Sequence, residues 1–208
     1  MILDWPGCDN ARDLGGLPTH DGARILPGAL LRAGHLGGLT PAALGAIRAA
    51  GVSRVVDLRW HRELAADPSP FAGDPIYAHV PLLMDELDYE FTDDSYGPLL
   101  DHNREHVAAG FRALALAPPG GVLVHCNAGR DRTGTLVALA LGVAGVAPRA
   151  IAEDYALTAG CAADTMLNTL AHADLAYGGV EAYLLSIGVS RGQVDAVRTR
   201  LRSRPAVR

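Results

Sequence analysis

The chain has 208 residues, 49% of them hydrophobic, and a formal charge of -5. That is enough apolar material for one substantial core, expected here as a single domain over residues 1–208, and the acidic balance excludes nucleic acid as the main partner, since a phosphate backbone is met by a basic face. All 18 basic residues are arginine, which excludes a Schiff-base lysine and the lysine of a nucleotide-binding Walker loop.

In chain order, Gly7 to Gly38 is rich in Gly, Pro and short apolar runs, among them Ala23–Leu26 and Ala29–Arg32, and reads as turns and short strands wrapping the core. Thr40-Pro41 supplies an N-cap and a first-turn proline for a helix over 42–50 that Gly51 ends, and Val52 to Leu58 follows as a buried strand. Ile76 to Leu83 reads as a further strand, leading into an acidic, mobile segment from Asp85 to Asp94. Asp101 is placed to cap a helix reaching about Ala117, the Pro118-Pro119-Gly120-Gly121 break follows, and Val122 to Val124 is a short strand. Thr133 to Val146 is almost wholly apolar but too short for a bilayer, so it is expected as a helix buried mid-domain. Pro148 opens the next helix, and Ser190-Arg191-Gly192-Gln193 is a capping-box pattern starting the last. Strands alternating with helices predict an α/β fold with a central, mainly parallel sheet flanked by helices and an all-helical C-terminal third.

The chain lacks a run of roughly 18 apolar residues, and Asp4, Pro6 and Asp9 break any signal-peptide pattern, so a cytoplasmic protein without a membrane span is expected. Cys8, Cys126 and Cys161 form no CxxC pair and no metal-ligand grouping, which fits free thiols in a reducing compartment with no metal and no cofactor.

The chemistry concentrates between the strand at 122–124 and the following helix, in His125-Cys126-Asn127-Ala128-Gly129-Arg130-Asp131-Arg132-Thr133-Gly134. A cysteine with an arginine six positions on is weak alone; with the histidine, Gly129, Thr133 and Gly134 also required, the chance expectation falls to the order of one in 10^5. A loop closing onto a helix N-terminus gathers unpaired N–H groups and the positive end of the helix dipole, a nest for dianionic phosphate. The same field stabilises a thiolate, so Cys126 is expected to be ionised at neutral pH and nucleophilic. Arg132 is spaced to fold its planar fork back over the concavity as a clamp. Asn127, Ala128, Gly129 and Arg130 line the nest, Gly129 permitting a positive φ; Thr133 can donate to the sulfur as it leaves, and His125 is expected to hold loop backbone. A leaving oxygen needs a proton: Asp131 ranks first, Asp57 at the end of the 52–58 strand second, and Asp85 or Asp88 in the acidic segment third.

These residues resemble the atypical bacterial tyrosine-phosphatase family whose loop reads HCxAGKDRTG, related to dual-specificity and phosphoinositide phosphatases. Asn10 to Gly16 is similar to its NxRDLGG element, Val56-Asp57-Leu58-Arg59 to its DLR strand end, and Glu153-Asp154-Tyr155 and Tyr183 to Leu201 to its C-terminal helices. The resemblance implies a cysteine-phosphatase fold, Cys126 as nucleophile, Arg132 as phosphate clamp and Asp131 as acid. It also implies a phosphorylated protein or a phosphoinositide as substrate, with phosphate as product. Arg130 stands where the family has lysine, keeping the charge but altering its reach.

The expected function is therefore a cysteine-dependent phosphomonoester hydrolase working through a thiophosphate intermediate. The alternatives are a sulfur- or arsenate-handling thiolate enzyme and a non-catalytic phospho-ligand binding module. Among the remaining candidates, Cys161 reads as a core residue on a helix, Cys8 as inert, and His102 with His106 as a solvated helix face. Arg12, Asp13 and Arg59 read as ion pairs bracing the loop.

Overall fold

The computed structural model describes residues 1–84 and 94–202. Asp85 and Asp88, and with them most of the acidic run, lie outside the described residues.

Five strands form one sheet: β1 (Arg12–Asp13), β2 (Leu30–Ala33), β3 (Val52–Asp57), β4 (Tyr77–His79) and β5 (Gly121–His125), in the spatial order β1-β2-β5-β3-β4. Every neighbouring pair is parallel except β1 with β2. β5 is central and buried throughout, with the apolar run Val122–Val124 ahead of His125, as a strand covered on both faces requires, and its side chains alternate between two cores. Val122 and Val124 join the larger cluster, packed with α4 (Arg104–Ala115) and α5 (Asp131–Val143), while Leu123 meets Ile47 of α1 (Pro41–Ala49), Val55 and Phe71 on the other face. The sheet is thus sandwiched between helices, as expected from the alternating pattern. After α5 the described chain is helical: α6 (Pro148–Ala156), α7 (Ala163–Tyr177), α8 (Val180–Ser186) and α9 (Arg191–Leu201). Among the described residues no helix is long and apolar enough to cross a membrane.

The capping signals act as read. Thr40 Oγ1 accepts from Ala43 N at 3.3 Å with Pro41 in the first turn, and Ser190 and Gln193 exchange side-chain-to-backbone bonds at 3.2 and 2.9 Å. Several boundaries differ. The helix expected from Asp101 to Ala117 is two helices, α3 (Gly97–His102) and α4, because Asn103 leaves helical geometry at φ -117°. Asp101 lies inside α3 and accepts from His172 Nε2 (2.9 Å) and Tyr177 Oη (2.5 Å) instead of capping. His102 and His106 therefore fall on different helices, and His106 Nδ1 lies 2.8 Å from Pro81 O. The strand expected over 76–83 keeps its ladder only at 77–79, where it is an edge strand paired on one side; Ala23–Leu26 makes isolated bridges. Cys161 precedes α7 in a turn, and α5 begins at Asp131, placing Asp131 and Arg132 in its first turn.

Candidate functional site

Parallel β2, β5 and β3 point their C-terminal ends at the same edge of the sheet, where open α/β sheets bind ligands. β5 delivers His125 and then Cys126 there; β2 delivers Arg32 and β3 delivers Asp57. The short helix α2 (His61–Ala66) begins just beyond β3. The loop from Cys126 to Arg130 runs into the N-terminus of α5, the strand-loop-helix geometry expected from the spacing.

The loop is held by its carbonyls. His125 Nδ1 lies 3.2 Å from Cys126 O, a carbonyl that can only accept, so this nitrogen carries the proton. Asn10 Nδ2 donates to Ala128 O (3.3 Å) and Gly129 O (3.0 Å), and Arg32 Nη2 donates to Gly129 O at 2.7 Å. In a planar trans peptide the C=O and the N–H of the next residue point in opposite directions. Pulling these three carbonyls outward therefore turns the N–H groups of Asn127, Gly129 and Arg130 the other way, and among the described residues none of the three has an internal acceptor. Gly129 adopts φ +66°, and a Cβ there would lie 2.3 Å from Ala33 O: the loop sits directly on the end of β2, which only glycine allows.

The anchors are themselves fixed by a buried charge cluster. Asp154 Oδ1 accepts from Arg12 Nε at 2.8 Å and its Oδ2 from Arg32 Nη1 at 2.9 Å. Arg12 also reaches Asn10 Oδ1, Asp154 O (2.8 Å) and Thr158 Oγ1 (3.0 Å). Burial, and after it the charge of Arg12, lower the Arg32 pKa, since two guanidinium groups share one carboxylate. Asp13 serves the turn beyond, accepting from Gly15 N and Gly28 N at 2.8 Å each. The bracing role read for Arg12 is thus what the structure has, with Arg32 and Asp154 completing it, whereas Asp13 holds backbone N–H groups and Arg59 pairs with Asp57.

The Cys126 residue is 2% exposed, and its sulfur lies in Coulombic range of both Arg132 and Arg32. Arg132 forms a fork with Glu63 of α2, Nη1 to Oε2 at 2.5 Å and Nη2 to Oε1 at 2.9 Å, and lies over the Trp60 ring with Cζ 4.5 Å from its centroid. Two of the five guanidinium N–H donors face Glu63, leaving three for an anion. Burial alone would raise the Glu63 carboxyl; the Arg132 hydrogen bonds and charge outweigh it and hold it below the usual range. Glu63 Oε2 also accepts from Trp60 N at 2.7 Å, fixing the start of α2.

The remaining expected residues fall as follows. Asn127 and Ala128 are exposed at the rim, and Arg130 is half-buried with Nε 3.2 Å from both oxygens of Asp131. Asp131 is 9% exposed and accepts from the Tyr96 hydroxyl. Thr133 Oγ1 is buried and without a hydrogen-bond partner among the described residues, so the bond to the sulfur expected from the sequence is not made. Asp57 is fully buried under the loop, its oxygens taken by Arg59 (2.7 to 3.1 Å) and Tyr77 Oη (2.9 Å). Burial would raise its carboxyl, yet the Arg59 bonds hold it at about 2, so it carries no proton to give. Burial pushes His125 down to about 4, so the ring is neutral at pH 7 and its 3.5 Å approach to Asp57 Oδ2 is not an ion pair.

Glu63, Arg32 and Tyr96 were not expected from sequence. Glu63 had a signal, an acid three residues beyond Trp60 at a strand end, the spacing of a helix N-terminal box. Arg32 had one also, as a charge inside the apolar run Leu30-Leu31-Arg32-Ala33.

Residues 3–164 match the model of a family described as the tyrosine phosphatase family. A tyrosine-protein phosphatase of Nostoc commune is 30% identical over 217 residues, covering 83% of this chain and 74% of that protein. The triple specificity protein phosphatase PtpB of Mycobacterium tuberculosis is 28% identical over 192 residues, covering 74% of this chain and 68% of that one. The crystal structure of P. aeruginosa TpbA, at 20% identity, aligns over 85% of this chain and 88% of that chain with a TM-score of 0.39.

Proposed function

The chain belongs to the tyrosine phosphatase family, and from that premise we propose that it hydrolyses phosphotyrosine in two steps on Cys126, with Arg132 as clamp and Asp131 as proton carrier. In the first step the Cys126 thiolate attacks phosphorus; the S–P bond forms, the P–O bond to the phenol breaks, and Asp131 gives its proton to the departing oxygen. In the second, water attacks the phosphocysteine, Asp131 takes back a proton, the S–P bond breaks and inorganic phosphate is released. The outward-tied carbonyls leave loop N–H groups for the non-bridging oxygens, and Arg132, held by Glu63, adds its remaining donors. Thr133 Oγ1 is assigned to the sulfur as it departs.

The observation that carries the reading is the oriented loop: three of the carbonyls that follow or flank the buried Cys126 are fastened by His125, Asn10 and Arg32, and Arg132 at the start of α5 is braced by Glu63. A binding module has no use for the acid beside that cysteine. The loop resemblance extends the proposal to phosphoserine, phosphothreonine and phosphoinositides, which one substrate panel measures together. Cys126→Ser is expected to abolish turnover of a phosphotyrosine peptide while still binding phosphate. Arg132→Lys, which loses the fork, is expected to lower kcat/KM by about 10²- to 10³-fold, the scale of deleting one oxyanion donor. Substantial turnover by Cys126→Ser would sink the covalent mechanism.

A further inference from the structure

Tyr96 and Tyr155 are each 2% exposed and their rings belong to the larger apolar cluster, yet their hydroxyls meet at a carboxylate of the reactive loop. Tyr96 Oη donates to Asp131 Oδ1, and Tyr155 Oη lies 2.5 Å from Tyr96 Oη. Because Tyr96 gives its only proton to the carboxylate, Tyr155 must be the donor between the two phenols. Each ring is held from a different part of the fold. Tyr96 precedes α3 and is fastened to α7 through its N–H to Thr169 Oγ1 at 2.8 Å. Tyr155 projects from α6 against α5, where a Cβ on Gly134 would lie 2.9 Å from its ring, so glycine at 134 makes room for that approach. The rings meet edge to face, centroids 6.1 Å apart.

A carboxyl that first gives and then takes a proton must present the same oxygen to substrate in both states. Arg130 Nε cannot select one, since it lies 3.2 Å from both Oδ1 and Oδ2. Tyr96 does select one: its O–H is satisfied by Oδ1 whether that atom is half of a carboxylate or the carbonyl oxygen of the neutral acid, and Oδ2 is left to carry the proton. We infer that Tyr96, itself oriented by Tyr155, is a positioning residue that dedicates one oxygen of Asp131 to proton transfer. Burial, and after it the bond donated to Asp131, raise the Tyr96 phenol well above its ordinary range, so it stays a donor across the working pH. The inference rests on Asp131 as the proton carrier and deepens that reading.

The test measures kcat against the basicity of the leaving group for wild type, Tyr96→Phe, Tyr155→Phe and Asp131→Asn, from dinitrophenyl phosphate, which departs without a proton, to phenyl phosphate, which needs one. Vanadate inhibition and thermal unfolding of each variant report whether the loop is intact. The expected result is that Tyr96→Phe loses about tenfold or more with phenyl phosphate, part of the 10² to 10⁴ ascribed to a positioned acid, and less than about threefold with dinitrophenyl phosphate. Tyr155→Phe should follow the same slope less steeply, and vanadate should inhibit all variants as it does wild type. If Asp131→Asn shows the leaving-group dependence and Tyr96→Phe does not, or if Tyr96→Phe loses rate uniformly with weakened vanadate, the tyrosine is structural and the inference is overturned. If Asp131→Asn is itself indifferent to the leaving group, the acid is elsewhere and both readings fall.

Discussion

Replacing Glu63 by alanine separates the shape of Arg132 from its charge. The Arg132 side chain is 7% exposed and Glu63 20%, so the pair is largely desolvated, and removing the carboxylate leaves the guanidinium charged but without its bidentate partner. Each charge-assisted bond is worth about 1.5–3 kcal/mol, but water reaching the one-fifth exposed position recovers part of both, so the expected loss in transition-state binding is about 2–3 kcal/mol. That corresponds to roughly 30- to 150-fold in kcat/KM toward a phosphotyrosine peptide. Vanadate inhibition should weaken in parallel, because it too relies on an oriented Arg132. Glu63→Gln, which keeps one acceptor oxygen and the side-chain shape, should fall between. The contact from Trp60 N to Glu63 Oε2 is lost as well in the alanine variant, so its Tm should fall by roughly 2–4 °C for about 1 kcal/mol of capping. A Glu63→Ala enzyme within twofold of wild type in both kcat/KM and vanadate affinity would refute the reasoning, since Arg132 would then be held by something other than this fork.

Three further outcomes follow from the same geometry. Asp154→Asn leaves Arg12 and Arg32 buried without their shared counter-charge; a stability loss of about 3–5 kcal/mol, roughly 10 °C in Tm by scanning calorimetry, is expected. A change below 2 °C would show that the two arginines do not depend on Asp154. Gly129→Ala forces a Cβ to 2.3 Å from Ala33 O, so the loop must move; displacement on the ångström scale should lower phosphotyrosine turnover by about 10²-fold, and near-normal kcat would contradict the close packing. Stability should fall in acid in two stages. His125 titrates near 6.5 unfolded but at about 4 folded, so the unfolded chain takes the proton first and stability drops from pH 6.5 toward 4, by an amount on the order of 3 kcal/mol. Asp57, held at about 2, adds a second loss below pH 4 as the carboxylate protonates on unfolding. His125→Gln should flatten the first stage of a Tm-against-pH curve, and a wild-type curve already flat from 6.5 to 4.5 would exclude it.

Local signals found what is local. The run from His125 to Gly134 spans the end of β5, the connecting loop and the first turn of α5, the strand-to-helix junction its spacing required, and the caps at Thr40 and Ser190 form because a side chain and a backbone N–H three residues on meet within a single turn. The partners that make the loop work were hidden, because topology brings them together. Glu63 meets Arg132 and Arg32 meets Gly129 only because β5 lies between β2 and β3, an order no periodicity encodes. Asp131 was found and Tyr96 was not for the same reason: the first is in the motif, the second arrives from the segment before α3. The break at Asn103 escapes the sequence because Asp101 reads as an N-cap ahead of the helix-forming run Arg104–Ala115, and only the buried Asn103 side chain, which donates to Leu99 O (3.2 Å) and accepts from Met84 N (3.2 Å), marks it. The strand expected over 76–83 is shorter in the structure because Leu82 and Leu83 are buried for core packing beyond the ladder, which ends at His79.

The charge of the site opposes the charge of the chain, and the all-arginine composition explains how. A chain at -5 repels a phosphate dianion at long range, so the attraction must be built at short range from groups that cannot lose their protons. Arg32 holds Asp154 with one arm and Gly129 O with the other, Arg12 holds Asp154, Thr158 and Asn10 at once, and Arg132 holds Glu63 while keeping donors for an anion. A lysine at any of the three is a single point charge and could not both brace and present. Orientation and positive charge meet at Arg32, which takes Gly129 O and is one of two buried guanidinium groups sharing the single carboxylate of Asp154, so an excess positive charge is bonded to the loop. Weakening the brace and weakening the field cannot be separated at Arg32, whereas at Glu63 they can, which is why that glutamate is the sharper probe of how the anion is held.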